Sequence, residues 1–197
     1  MKKILLIDNQ DSFIYNVYHL FKEVTNIPVD IYQNNDIPFG LLDQYSRIII
    51  SPGPGIPQEA GELMRLLEVS RHSHSILGIC LGLQAIALHF GAKLVNLQQP
   101  LHGHSSTLIV KENDPLLSSI VKKSINAEPL VVGLYHSWAV DPQTIPEILQ
   151  TGSVNEEGII MTLYHKELPI YGMQFHPESV ITRIGKEIAK EWINLTK

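Results

Sequence analysis

Three short stretches of this 197-residue chain carry groups that could do chemistry together, although they lie far apart in sequence. The first holds Cys80, the only cysteine, inside Gly78-Ile79-Cys80-Leu81-Gly82. Ser75-Ile76-Leu77-Gly78-Ile79 reads as a buried strand, and Ala85, Ile86, Leu88 and His89 continue as a helix stopped by Gly91. A thiol at so sharp a strand-to-helix turn is held in a strained conformation, and flanking glycines let backbone pass close on either side. This is the logic of the serine nucleophile elbow with sulfur in place of oxygen. The helix N-terminus adds partial positive charge that favours thiolate over thiol. The pentapeptide by itself suits an inert, buried thiol equally well.

A cysteine nucleophile needs a base that takes its proton and returns it to a leaving group. Among nine histidines, His176 has the distinctive setting, Gln174-Phe175-His176-Pro177-Glu178-Ser179. Pro177 disfavours helical geometry in the residue before it, so His176 is expected to be extended. Positions two apart in extended chain face one side, which lets Glu178 approach the imidazole and act as its orienting carboxylate. Taken alone, the same tripeptide reads more simply as a helix start with a first-turn acid. The third stretch, Ser51-Pro52-Gly53-Pro54-Gly55-Ile56-Pro57, follows an apolar strand and forms a rigid, tightly shaped loop. Acyl chemistry requires N–H donors aimed at a developing oxyanion, and the N–H groups of Gly55 and Leu81 are the candidates. In isolation the loop is a surface turn.

The elements that must position these groups alternate in the first half. Ile4–Ile7, Val29–Tyr32, Arg47–Ile50 and the strand before Cys80 are apolar β runs. Between them Phe13, Val17, Leu20, Phe21 and Val24, then Leu63, Leu66, Leu67 and Ser70, recur at helical spacing. Continuous apolar strands alternating with helices predict an α/β fold with a mainly parallel central sheet covered on both faces. In such sheets ligands bind beyond the carboxyl ends of the strands. Residues 107–110, 130–134, 148–154, 159–163 and 170–175 are closely spaced β candidates, which predict an antiparallel or mixed extension of that sheet. A helix from about Arg183 to Leu195 closes the chain. No repeat or linker divides it, so residues 1–197 are expected to form one domain.

Net charge of −5 and a pI near 6.0 argue against nucleic acid as the main partner. A single cysteine cannot close an intramolecular disulfide, so nothing requires an oxidising compartment. The apolar start meets Asp8 too early for a signal core or a span, and no other stretch is long enough to cross a bilayer. The expected setting is cytoplasmic. His72-x-His74 and His102-x-His104 could each place two ligands together on a strand. No carboxylate or cysteine completes either set, and metal binding is not expected.

Pro-Gly-Pro-Gly-x-Pro, Gly-x-Cys-x-Gly-x-Gln and His-Pro-Glu, in that order over essentially the whole chain, resemble the class I (triad) glutamine amidotransferases. Asp8-Asn9-Gln10-Asp11-Ser12-Phe13 and Tyr135-His136-Ser137 narrow the resemblance to the glutaminase components of anthranilate and aminodeoxychorismate synthases. The resemblance implies that Cys80 attacks the side-chain amide of L-glutamine to give a glutamyl thioester. His176 would protonate departing ammonia and then activate water, with Glu178 orienting it. Gly55 and Leu81 would supply the oxyanion hole. Glutamine would be held by Gly53, Pro54 and Gly55, by Gln84, and by the main chain at Ser137 and Trp138. Ammonia would pass to a chorismate-binding synthase subunit, with no metal or organic cofactor in the glutaminase half. A glutaminase serving another acceptor, or a cysteine hydrolase acting alone, is the alternative. The chain departs from the family at Gln10, where tyrosine is common, and at Ile14, where threonine is. It also has His102-Gly103-His104 for His-Gly-Lys and Trp138 where leucine is frequent. The first three departures bear on synthase docking, the triad and oxyanion loop are intact, and Trp138 is expected to be tolerated if only its main chain touches glutamine.

Overall fold

The computed structural model describes residues 2–123 and 128–195. Its first half alternates β1 (Lys3–Asp8), α1 (Ile14–Val24), β2 (Val29–Gln33), β3 (Tyr45–Ile50), α2 (Leu63–Ser70), β4 (Ser75–Ile79) and α3 (Leu81–His89). The second half is richer in strands: β5 (Leu94–Asn96), β6 (His104–Thr107), β7 (Ile109–Val110), α4 (Ser118–Lys123), β8 (Val131–Leu134) and β9 (Trp138–Val140). It ends with β10 (Leu149–Val154), β11 (Ile160–His165), β12 (Ile170–Met173) and α5 (Gly185–Leu195).

Among the described residues the main sheet runs β2-β1-β3-β4-β12-β11-β10-β7. From β2 to β12 all pairs are parallel, and from β12 to β7 all are antiparallel. Successive residues of β1 show why both faces are covered. Ile4 and Leu6 pack in one core with Phe21, Leu77, Ile188 and Trp192, whereas Leu5 and Ile7 pack in the other with Leu63, Leu66, Leu67 and Ile86. On the first face α1 and α5 touch through Phe21 and Trp192, whose rings meet edge to face at 5.6 Å. On the second, α3 is enclosed from Leu81 to Ala87, as a helix apolar on all sides must be.

The parallel arrangement decides where the chemistry can occur. Gly78 on β4 is in register with Ile50 on β3, and Ile79 is in register with Met173 on β12. The loop after Ile50, the turn at Cys80 and the segment after Met173 therefore leave the sheet side by side at one edge. β12 is last in sequence yet sits beside β4, and this brings residues 174–178 next to residue 80.

The predicted β segments mostly form, but not all join the sheet. The expected strand over 107–110 splits at Leu108, which is buried and gives its N–H to the Leu130 carbonyl at 2.9 Å. β6 pairs with β8, β5 pairs with β9, and only β7 reaches β10. The two small ladders thus lie outside the main sheet, while β12, β11, β10 and β7 form its expected antiparallel extension. The last helix starts at Gly185, not at Arg183, because residues 177–184 are used in the turn that carries Glu178. A Cβ on Gly185 would overlap the Pro177 carbonyl oxygen, so this helix start is packed directly on that turn. No helix of the described residues is long and apolar enough to cross a membrane.

Candidate active site

Cys80 caps α3 with φ 52° and ψ −101°, a conformation L-residues rarely adopt. Its N–H is held by the Met173 carbonyl at 2.7 Å, which fixes the turn to β12. The flanking glycines are there for closeness. A Cβ on Gly78 would overlap the backbone carbonyl of Gly82, and one on Gly82 would lie 2.6 Å from the Ile50 oxygen. α3 can therefore start only against bare backbone, and Cys80, itself buried, borders two cavities at the sheet edge. Gln174 donates from Nε2 to Sγ at 3.4 Å, placing a positive dipole against the sulfur.

His176 leaves the end of β12 with its N–H on the Gly133 carbonyl at 3.1 Å. Its Nδ1 lies 2.6 Å from Glu178 Oε1, and the two side chains are only 7% and 3% exposed. The carboxylate accepts, so Nδ1 carries the proton and Nε2 is the atom free to exchange one. Nε2 is buried and makes no hydrogen bond among the described residues. Burial disfavours the imidazolium, but the neighbouring Cys80 sulfur and the Glu178 carboxylate outweigh it and raise the His176 pKa to about 10. Sulfur, imidazole and carboxylate thus form one electrostatic unit. It can take a proton from a thiol and deliver it to a leaving group.

The proline-glycine loop is shaped from β1. Asn9 donates from its side chain to the Ser51 carbonyl at 2.8 Å and from its backbone to Ser51 Oγ at 3.0 Å. Gly53 then lies so close to Asn9 that a Cβ would fall 2.5 Å from the Asn9 Cβ. The loop borders a cleft of about 180 Å³ lined by Gly53, Pro54, Gly55, Cys80, Leu81 and Gln84, with residues 135–138 opposite. Ser137 and Trp138 are among these, so all seven residues expected to hold substrate meet around the sulfur. Neither the Gly55 nor the Leu81 N–H is taken by another described residue, leaving both donors available. Gln84 donates to the Trp138 carbonyl at 2.8 Å and to Gln174 Oε1 at 3.2 Å. The Trp138 carbonyl also accepts from His136 Nδ1 at 2.8 Å, so it is already occupied twice.

Several site residues were not assigned roles from sequence. Gln174 stands two residues before His176, and the alternation that paired His176 with Glu178 could have found it. His136 is buried, and that burial together with the nearby His176 charge holds its pKa down at about 4 against its bond to Trp138. Asp11 lines a second cavity of about 370 Å³ that also reaches Cys80, His176 and Glu178. Burial pushes its carboxyl up, and Oδ2 lacks a partner among the described residues. No periodicity announced either residue, because each acts through a long-range neighbour. Of the paired histidines, His74 bonds the Leu42 carbonyl and His72 meets Arg71 away from the site, whereas His102 packs on Tyr135 and lines the second cavity with Cys80 and His176. Among the described residues no three His, Cys, Asp or Glu side chains cluster as metal ligands.

Comparison with known proteins bears on this geometry directly. Residues 5–195 match the family model described as glutamine amidotransferase class-I. The anthranilate synthase component 2 of Saccharolobus solfataricus is 39% identical over 200 residues, covering 98% of this chain and 99% of that one. The aminodeoxychorismate/anthranilate synthase component 2 of Bacillus subtilis is 38% identical over 192 residues, covering 96% and 95%. Among solved structures, a Thermoplasma acidophilum protein assigned as a GMP synthase subunit superposes with a TM-score of 0.83 at 26% identity, covering 100% of this chain and 94% of that one. With a match over nearly its full length and close relatives of the same extent, this chain belongs to the class-I glutamine amidotransferases.

Proposed function

We propose that this chain is the glutaminase subunit that hydrolyses L-glutamine through Cys80 and delivers ammonia to a chorismate-using synthase subunit. The observation that carries the reading is that Cys80 borders two cavities, one with two free N–H groups and the other with the His176–Glu178 pair, whose imidazole is influenced by the Cys80 sulfur. Sγ, having given its proton to His176 Nε2, attacks the glutamine side-chain carbonyl carbon. The oxygen becomes an anion facing the Gly55 and Leu81 N–H groups. His176 returns the proton to the amide nitrogen, the C–N bond breaks, ammonia leaves and a glutamyl thioester remains. Water, deprotonated by His176, then cleaves the C–S bond to give glutamate and restores Sγ. Glu178 stabilises the imidazolium in both halves.

The acceptor is read from the relatives' names together with a feature of the surface. The lining of the second cavity at Cys80 includes Phe13 and Val180, which are 51% and 94% exposed. An apolar rim around a path to the sulfur suits a partner that receives ammonia without releasing it to water. The test is Cys80→Ser in the assembled complex. Glutamine-dependent formation of anthranilate or aminodeoxychorismate is expected to vanish while synthesis from ammonium salts persists. Glutamine-driven product from that variant would defeat the assignment.

A further inference from the structure

Tyr135, which directly follows β8, stands against the imidazole of His176 with ring centroids 4.9 Å apart and planes at 64°. Its other side meets His102 at 5.6 Å and 85°, so the phenol is wedged between two rings. Its hydroxyl lies 3.1 Å from Ser179 Oγ. Ser179 belongs to the catalytic turn: its N–H bonds the His176 carbonyl at 3.2 Å, and its Oγ accepts from the Ile181 N–H at 3.2 Å. Gly133 makes the packing possible, since a Cβ there would lie 2.8 Å from Ser179 Oγ and 3.2 Å from the Tyr135 ring.

We infer that Tyr135 is a positioning residue for His176, clamping the imidazole plane through its ring and tying that clamp to the catalytic turn through Ser179. The inference rests on the reading that His176 serves Cys80. The need for it is mechanical. The bond from Nδ1 to Glu178 fixes one atom and leaves the ring free to hinge about it, which would swing Nε2 off the sulfur. A flat ring held against the imidazole removes that freedom. The titratable groups around His176 are Cys80, Glu178, Asp11 and His136, with His102 behind the phenol. None of them restrains the ring plane as Tyr135 does. Tyr135 also borders both cavities at Cys80, so a role in substrate contact has to be separated from positioning.

The experiment uses the whole chain with its synthase partner for glutamine turnover, and the chain alone for alkylation of Cys80 by iodoacetamide across neutral pH. Tyr135→Leu is expected to lower kcat about 10- to 100-fold with KM within about threefold, as a misaimed catalytic group does. It should also slow alkylation at neutral pH. Tyr135→Phe, which keeps the ring, should recover most of both. Should the leucine variant not fold, the hydroxyl link decides. Tyr135→Phe is expected to lower kcat about two- to tenfold in the wild-type chain and to add nothing in a Ser179→Ala background, where the bond they share is already gone; Ser179→Ala by itself also removes the acceptor of the Ile181 N–H. The inference is overturned by wild-type kcat and alkylation in a folded Tyr135→Leu, by a rise in KM alone, or by multiplying losses in the double variant. An ordinary, slow thiol in the wild-type chain would instead remove the Cys80–His176 pairing beneath it.

Discussion

Glu178→Gln isolates charge from geometry at the centre of the site. The amide oxygen of glutamine can still accept from His176 Nδ1, at a bond now 2.6 Å long between two side chains that are 7% and 3% exposed. What disappears is the negative charge that helps burial be overcome and keeps His176 protonated up to about 10. Removing one partner of a buried, hydrogen-bonded ion pair costs about 3–5 kcal/mol. The imidazolium stands beside the sulfur before attack and forms again when water is deprotonated, so that loss is felt in both halves of the proposed reaction. At about 1.4 kcal/mol per decade, kcat for glutamate release should drop about 10²- to 10⁴-fold. KM should change little, because Glu178 lies outside the cleft proposed to hold glutamine. The assay is steady-state glutamate release by the complex, accompanied by the rate of Cys80 alkylation at neutral pH, which should fall in parallel. A kcat within about threefold of wild type, with alkylation unaltered, would falsify the electrostatic role given to this carboxylate.

Other perturbations test the frame around the site. Gly82→Ala drives a Cβ to 2.6 Å from the Ile50 carbonyl, against backbone that cannot yield cheaply. A loss of about 1–3 kcal/mol is expected, hence a fall in Tm of roughly 2–12 °C. An unchanged Tm would show that α3 does not need this approach. Stability should depend on pH through two histidines of opposite sign. His136, held at about 4, stays neutral when an unfolded histidine would take a proton. Its contribution is complete above about 6.5 and is lost as pH falls toward 4, amounting to about 3 kcal/mol at most. His176, raised to about 10, contributes fully below about 6.5 and loses that contribution as pH rises through 10. Asp11 and Asp114, both raised by burial, oppose the loss at the lowest pH. Urea melts from pH 7 to 4 should therefore show a stability that falls more steeply with pH in wild type than in His136→Asn, and equal slopes would count against the assignment.

What could be read from sequence follows from the range of the forces involved. The strands at Ile4–Ile7, Arg47–Ile50 and Ser75–Ile79 were legible because burial on both faces leaves an uninterrupted apolar run. The His176–Glu178 contact was legible because two-residue periodicity and Pro177 are local facts. The elbow was legible as a pattern, but its reason was not. Gly82 is needed because of Ile50, which lies 32 positions earlier. The breakdown of the 107–110 strand has the same origin, since Leu108 is pulled into a core assembled from distant elements. Tyr135, His136 and Asp11 carry no periodic signal at all. Their placement beside Cys80 and His176 depends on β1 ending at the same sheet edge as β12, and on β8, outside that sheet, being joined there by the His176 N–H on the Gly133 carbonyl, a matter of topology that a single chain's spacing cannot express.

The central claim, that Cys80 is the nucleophile toward glutamine, is tested most directly by an irreversible glutamine analogue bearing an electrophilic diazoketone in place of the amide. Mass spectrometry of the digested protein should find one adduct per chain, on the peptide containing Cys80. The adduct should be blocked by excess L-glutamine and missing from Cys80→Ser. Labelling at another residue, or labelling of Cys80 that L-glutamine fails to slow, would contradict it.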